Sequence, residues 1–244
     1  MIFQSRSLHR PAGALRFALD REFRIVVGVL RHDLRARQAT AALFGASALC
    51  IAIAVAMDIL HRLGVHDLGL NWFSLGLDRS VPEILMYGQT LLASVLTGLL
   101  FRRTGLRAFL VLSVLFGFVL LDDAFSYHET VGALLVGALD LQPWGGLRNQ
   151  DLGELLAWGL AGLGMLPLLG WGLKGMTARD GAIFILYGLL FGMLVFFAVV
   201  VDMLHSAVTY WPLRLILAWA EDGGEALVIA AIAALAVLQT RAPR

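Results

Sequence analysis

"GAIFILYGLLFGMLVFFAVVVDMLH", residues 181–205, begins with twenty-one residues that carry no charge and ends with an aspartate and a histidine three positions apart. About 20 apolar residues at a 1.5 Å rise cross roughly 30 Å of hydrocarbon, so the stretch reads as a transmembrane helix. Five further blocks of this kind lie at about 40–61, 82–101, 106–128, 153–173 and 215–239. No strand-period alternation competes with them. The 244 residues are 59% hydrophobic and 15% charged, with mean hydropathy +0.79, and the charges fall between the apolar blocks. The expected fold class is an all-α integral membrane protein: a six-helix transmembrane domain over residues 40–240, preceded by an N-terminal segment over residues 1–39.

The basic residues give the expected orientation. Arg6, Arg10, Arg16, Arg21, Arg24, Arg31, Arg35 and Arg37 precede the first span, and Arg102, Arg103, Arg107, Lys174, Arg179, Arg241 and Arg244 fall on the same side. Fifteen of nineteen basic residues on one side place that side, with both termini, in the cytoplasm. Arg62, Arg79, Arg148 and Arg214 fall opposite, together with fourteen of the eighteen acids. The expected location is a bacterial inner (cytoplasmic) membrane. Met1 is followed by a basic, mixed-polarity stretch without a signal-peptide core, so the first span is expected to act as its own insertion signal. Cys50 is the single cysteine, which excludes an internal disulfide and any thiolate cage.

Residues 13–37 carry Leu15, Leu19, Phe23, Val27, Leu30 and Leu34 at helical steps, with Arg16, Arg24, Arg31 and Arg35 on another face. This pattern predicts an amphipathic helix on an anionic lipid surface, so membrane lipids are the expected partners and nucleic acid is not. Trp72, Phe73, Trp144, Tyr210 and Trp211 suit an interfacial aromatic belt. Ser80 with Glu83, and Asp151 with Glu154, have the spacing of helix starts. Tyr87, Gln89, Thr90 and Ser94 are expected to face other helices, and Gly159, Gly162, Gly164, Gly188 and Gly192 to pack closely against them.

The word that closes the opening stretch recurs. "VAMDILHRLG" (55–64), "LLDDAFSYHE" (120–129), "VVVDMLHSAV" (199–208) and "AWAEDGGEAL" (218–227) all fall at the end of the bundle opposite the arginines. Residues three or four apart share a helix face, so Asp58 projects with His61 and Asp202 with His205. On an unbroken span three, Asp122 and Glu129 nearly eclipse, Ser126 lies between them, His128 flanks them, and Asp123 points away. Glu221 and Glu225 share a face of span six with Asp222 at its edge, and Gly223 and Gly224 leave room for a helix, an ion or a ligand.

A carboxylate in a bilayer costs about 2.5–3.5 kcal/mol at the centre and less toward the interface. Protonation, arginine partners such as Arg62 and Arg214, or a bound cation must offset that cost. Two-metal bundles combine carboxylate-x-x-His pairs from two helices with carboxylates from two others, which predicts Asp58, His61, Asp202 and His205 with Asp122 or Glu129 and with Glu225 or Glu221. A mononuclear zinc site from His61, His128 and His205 plus one aspartate is the other expected assembly. Glu129 and Glu221 are then the ligand-or-base candidates, with Ser126 and Asp222 behind them. The expected cofactor is a divalent metal, either zinc or a two-metal iron or manganese centre.

The aliphatic lower halves of spans one and five offer no polar trail for a transported ion. A metal-dependent hydrolase acting on a lipid is therefore the first expectation. A divalent-cation or proton-coupled transporter, a di-iron oxidase and an ion-binding regulatory subunit are the others. "FGASAL" (44–49) resembles the Gly-x-Ser neighbourhood of intramembrane serine proteases, but Ser47 lies toward the end of the bundle away from every intramembrane histidine. Six spans with acids and histidines at one face also bring zinc-dependent lipid amidases to mind, but their paired histidines four apart in the last span are absent here and no kinship is inferred.

Overall fold

The computed structural model describes residues 11–65 and 71–242, so Arg6, Arg10 and Arg244 lie outside the described residues. Among the described residues there is no strand, and six helices are long and apolar enough to cross a membrane. In chain order the helices are α1 (Pro11–His32), α2 (Leu34–Arg62), α3 (Val81–Thr104), α4 (Arg107–Phe125), α5 (Tyr127–Leu139), α6 (Asn149–Leu173), α7 (Ala178–Val195), α8 (Asp202–Ala207) and α9 (Trp211–Thr240). A π-helical stretch, Phe196–Val201, joins α7 to α8, so the two form one 30-residue span.

Local chemistry sets the ends. Asp33 breaks the helix expected over 13–37: its carboxylate accepts from Ala36 N at 3.0 Å and starts α2 there. Ser80 Oγ accepts from Glu83 N, while Glu83 takes the Arg79 amide and the Tyr87 hydroxyl. Gly105, at φ +71°, ends α3 in the left-handed conformation that glycine adopts without penalty. Thr177 and Asp180 cap α7 reciprocally, and Asp180 also accepts from Ala108 N at 3.2 Å, tying the starts of α4 and α7 together. In the second expected start, Asp151 is a first-turn residue and not the cap. Its carboxylate receives the Arg148 amide and guanidinium, and Glu154 turns to Gln150.

α9 is the central helix: 61% of its apolar window is buried, against 11% for α2 and α6. Phe109, Phe116, Ile183, Tyr187 and Ile229 form the core where α4, α7 and α9 meet. Tyr187 donates to Gln239 Oε1 at 2.9 Å, and its ring lies 5.9 Å from that of Phe116. Gln89, buried in α3, donates to Ser47 Oγ and to the Leu43 carbonyl, so Ser47 is an α2–α3 tether.

α1 packs on α7, with Leu15 against Gly181 and Glu22 bonded to Arg179 at 2.6 Å, while Val29 packs with Ala36 of α2 and Leu238 of α9. Of the expected stripe, Leu15 and Leu30 are packed against other helices and Phe23 and Leu34 are exposed, as is Phe17. α5 and α6 pair antiparallel, since His128 meets Trp158 while Gly132 meets Gly153. At the glycines expected at helix contacts, Gly159, Gly162, Gly164, Gly188 and Gly192, a Cβ would meet nothing within 4 Å. The tightest approaches are at Gly132, Gly153, Gly172 and Gly224, with Gly98, Gly117 and Gly181 next.

Candidate metal centre

The four acidic words meet at one end of the bundle around two adjoining chambers. The first, of about 810 Å³, is lined by Asp58, His61, His205, Glu221 and Asp222. The second, of about 630 Å³, is lined by Asp123, His128, Glu129, Asp202, Glu221, Asp222 and Glu225, among others. Glu221, Asp222 and the turn Leu75–Leu77 belong to both walls.

At the shared wall, Asp202, His205 and Glu221 each offer a ligand atom, and these atoms lie within 4.8 Å of one another. His205 Nδ1 stands 3.0 Å from Glu221 Oε2. Two local features build this group. The π-helical turns before Asp202 widen the backbone spiral, a distortion often found at functional sites. Gly224, one turn beyond Glu221, receives the Phe197 ring of that stretch, and a Cβ there would stand 2.5 Å from Phe197 Cγ and Cε1. Gly223 meets Ile51 of α2, so the room left by the glycine pair is taken by neighbouring helices.

The other expected ligands are deployed differently. Ser126 adopts φ +47° and divides the expected third span into α4 and α5, so Asp122 and Glu129 do not share a helix face. Asp122, 1% exposed, accepts from the His128 amide at 3.0 Å and stands 2.9 Å from His128 Nδ1. It holds the start of α5 and lies outside the metal-competent group. Asp123, expected to point away, lines the second chamber. Asp58 accepts from Trp219 Nε1 at 2.9 Å, and His61 lines the same chamber outside the metal-competent group. Glu221 is the glutamate beside His205, in the place expected for Glu225. The helix α8 crosses α9 at the level of Glu221, and Glu225 lies a turn further along.

The electrostatics of the α5 start follow from this pairing. Burial works against the His128 imidazolium, but the Asp122 hydrogen bond and charge outweigh it, and the His128 pKa is raised. Burial likewise raises Glu129, with His128 opposing and the carboxylates of Asp78, Glu154 and Glu83 adding to the rise. Arg62 stacks 5.6 Å from the Trp211 ring centroid, and both line the first chamber. Trp158 and Trp219 were missed by sequence reasoning. Trp219 sits two residues before Glu221, inside a word already singled out, but nothing in the sequence pairs it with Asp58.

These features define an all-helical protein with six membrane-length apolar helices and a metal-competent cluster of carboxylates and imidazole at one end. The chain belongs to the family described as Domain of unknown function (DUF8692), whose model matches residues 71–238. That match contains Asp202, His205 and Glu221 but not the Asp58–His61 pair. No curated protein and no solved structure matches the chain.

Proposed function

We propose that this protein is a metal-dependent hydrolase of the bacterial inner membrane that acts on a lipid, with both termini cytoplasmic and the acidic end facing the periplasm. The observation that carries this reading is the Asp202–His205–Glu221 group at the wall shared by two chambers. Three protein ligands leave a coordination position for water or substrate, the pattern of catalytic zinc sites. Zinc, manganese or iron(II) suits one imidazole with two carboxylates. One metal is favoured over two, because Asp122 is engaged by His128 and Asp58 by Trp219. The arginine asymmetry supports the orientation. The exposed Phe17 and Phe23 of α1, beside Arg16 and Arg24, support an interfacial role for that helix.

A bound divalent metal would lower the pKa of a water and polarise an ester, amide or phosphate group. The residues do the rest. Asp202, His205 and Glu221 would hold the metal, with His205 oriented by its 3.0 Å contact with Glu221, and Asp222, which lines both chambers, would serve as proton acceptor.

The test is metal content by mass spectrometry on protein purified in detergent without chelators. About one metal per chain is expected from three ligands with an open position. It should be lost in Asp202→Asn and Glu221→Gln and kept in Asp58→Asn. Loss in Asp58→Asn alone would move the site to the α2 pair, and no metal in the parent after adding divalent ions would end the reading. Metal-dependent release of fatty acid or headgroup from membrane lipids then tests hydrolysis.

A further inference from the structure

Beside the acidic chamber lies a cavity of about 580 Å³ walled by α4, α6, α7 and α9. α6 and α7 each pack on α4 but barely on one another, which leaves a cleft between them. Gly159 and Gly162 of α6 and Gly188 of α7 line it, and a Cβ at any of the three would meet nothing within 4 Å. They keep the cleft wide and bring no helices together. The remaining lining is almost wholly aliphatic and aromatic, except that Asp123 and Glu225 stand in this cavity and in the acidic chamber at once. Trp158 also belongs to both. The two spaces thus share a wall at Asp123, Glu225 and Trp158, and a ligand that reached across it would lie in a channel apolar along the spans and acidic at one end.

We propose that this channel binds a long-chain amine: a single hydrocarbon chain that enters sideways from the bilayer between α6 and α7, with its cationic head held by Asp123, Glu225 and Trp158. The size lies within the range of about 300–1,000 Å³ common to pockets that enclose a ligand. An apolar cleft among membrane helices gains contacts when a chain fills it, since unfilled lining atoms forfeit their dispersion partners. The head chemistry follows from charge. Among the described residues neither Asp123 nor Glu225 forms an ion pair, and the two basic groups on the chamber wall are engaged elsewhere, Arg148 by Asp151 and His128 by Asp122. An anionic head would be repelled by this wall. An ammonium would meet two carboxylates and the indole of Trp158, whose face attracts cations. The inference rests on the hydrolase reading for what happens to the amphiphile, but its binding needs no metal.

The experiment uses purified protein in detergent and stearylamine carrying a nitroxide at its fifth carbon, with identically labelled stearic acid as the comparison. Quenching of tryptophan fluorescence reads binding, and Trp158→Phe identifies the share due to Trp158. Saturable quenching of Trp158 is expected, about tenfold tighter for the amine than for the acid. Gly188→Phe should weaken amine binding about tenfold by filling the cleft, and Gly162→Leu, from the opposite wall, serves if that variant does not fold. Leu163→Phe, on the exposed side of α6, should change nothing. Asp123→Asn combined with Glu225→Gln should keep chain binding and lose the preference for amine. Equal quenching by amine and acid, or binding indifferent to both cleft-filling substitutions, overturns the proposal. The same titration, run beside metal analysis of protein purified without chelators and supplied with divalent ions, separates the two readings. Amine binding in a protein that holds no metal sinks the hydrolase alone, whereas a stoichiometric metal without amine preference sinks the channel alone.

Discussion

Substituting Gly224 by alanine would place a methyl carbon 2.5 Å from Phe197 Cγ and Cε1. Carbon atoms rest about 3.5–4.0 Å apart, so the ring must retreat by roughly 1 Å or more. Phe197 lies in the π-helical stretch that leads directly into Asp202, and Gly224 lies one turn after Glu221. The displacement therefore acts across the junction that brings Asp202 and His205 to Glu221. Overpacking of this kind costs about 1–3 kcal/mol, and alanine's better helix propensity returns about 1 kcal/mol, for a net loss of about 0–2 kcal/mol. Metal affinity should suffer more than stability, by about 10–100-fold, the range found when the support of a ligand is disturbed. The assay pairs thermal unfolding in detergent with competition for metal against a chelating dye. Gly159→Ala, which projects into open space, is the control, and its stability should stay level or rise by up to about 1 kcal/mol. A Gly224→Ala protein with both parental stability and parental metal affinity would refute the view that the Phe197–Gly224 contact assembles the centre.

Three further outcomes are expected. The raised pKa of His128 means that its pairing with Asp122 contributes stability that is complete below the ordinary imidazole pKa of about 6.5 and is lost as pH rises through the higher folded value. Asp122→Asn should lower the His128 pKa in an NMR titration and flatten thermal stability across that window, and an unmoved His128 titration would refute the pairing. Gly153→Ala would set a Cβ against the Gly132 carbonyl and 2.8 Å from Val136 Cγ2, so α5 and α6 must separate at a cost of about 1–3 kcal/mol in thermal unfolding. A parental melting temperature would contradict that close approach. Arg179→Ala strands the buried Glu22 carboxylate and should loosen α1 from α7 by about 2 kcal/mol, read as faster proteolysis after Arg21 and Arg24, and unchanged proteolysis would contradict the tether.

Individual residues show where sequence legibility stops. The opening stretch was readable as a span because a bilayer demands about 20 apolar residues whatever their neighbours, and α7 through α8 is such a span. Its internal π-helical turns were not readable. Within them Phe197 packs on the surface of Gly224, a contact between two helices distant in sequence. Asp123 and Asp122 exchanged their expected directions for a comparable reason. Ser126 at φ +47° restarts the helix, and Asp122 is drawn to the new α5 amide and to His128. The glycines of α6 and α7 look alike in sequence, yet Gly153, Gly172 and Gly181 have a neighbouring helix against them, whereas a Cβ at Gly159, Gly162, Gly164, Gly188 or Gly192 would meet nothing within 4 Å.

Hydrophobic periodicity and the segregation of charge act along the chain, so the sequence alone determined the six apolar helices, their order, and the clustering of acids and histidines at one end. Helix spacing alone also paired Asp202 with His205. Which carboxylate meets that histidine, Glu221 and not Glu225, depends on the level at which α8 crosses α9, and only packing decides it. The sequence named the titratable groups, and tertiary structure divided them between tethers, a metal-competent group and the neck of an apolar cleft. The physical reason is that side-chain periodicity specifies a face of a helix, whereas a site needs a face, a height along the axis and a neighbour at contact distance.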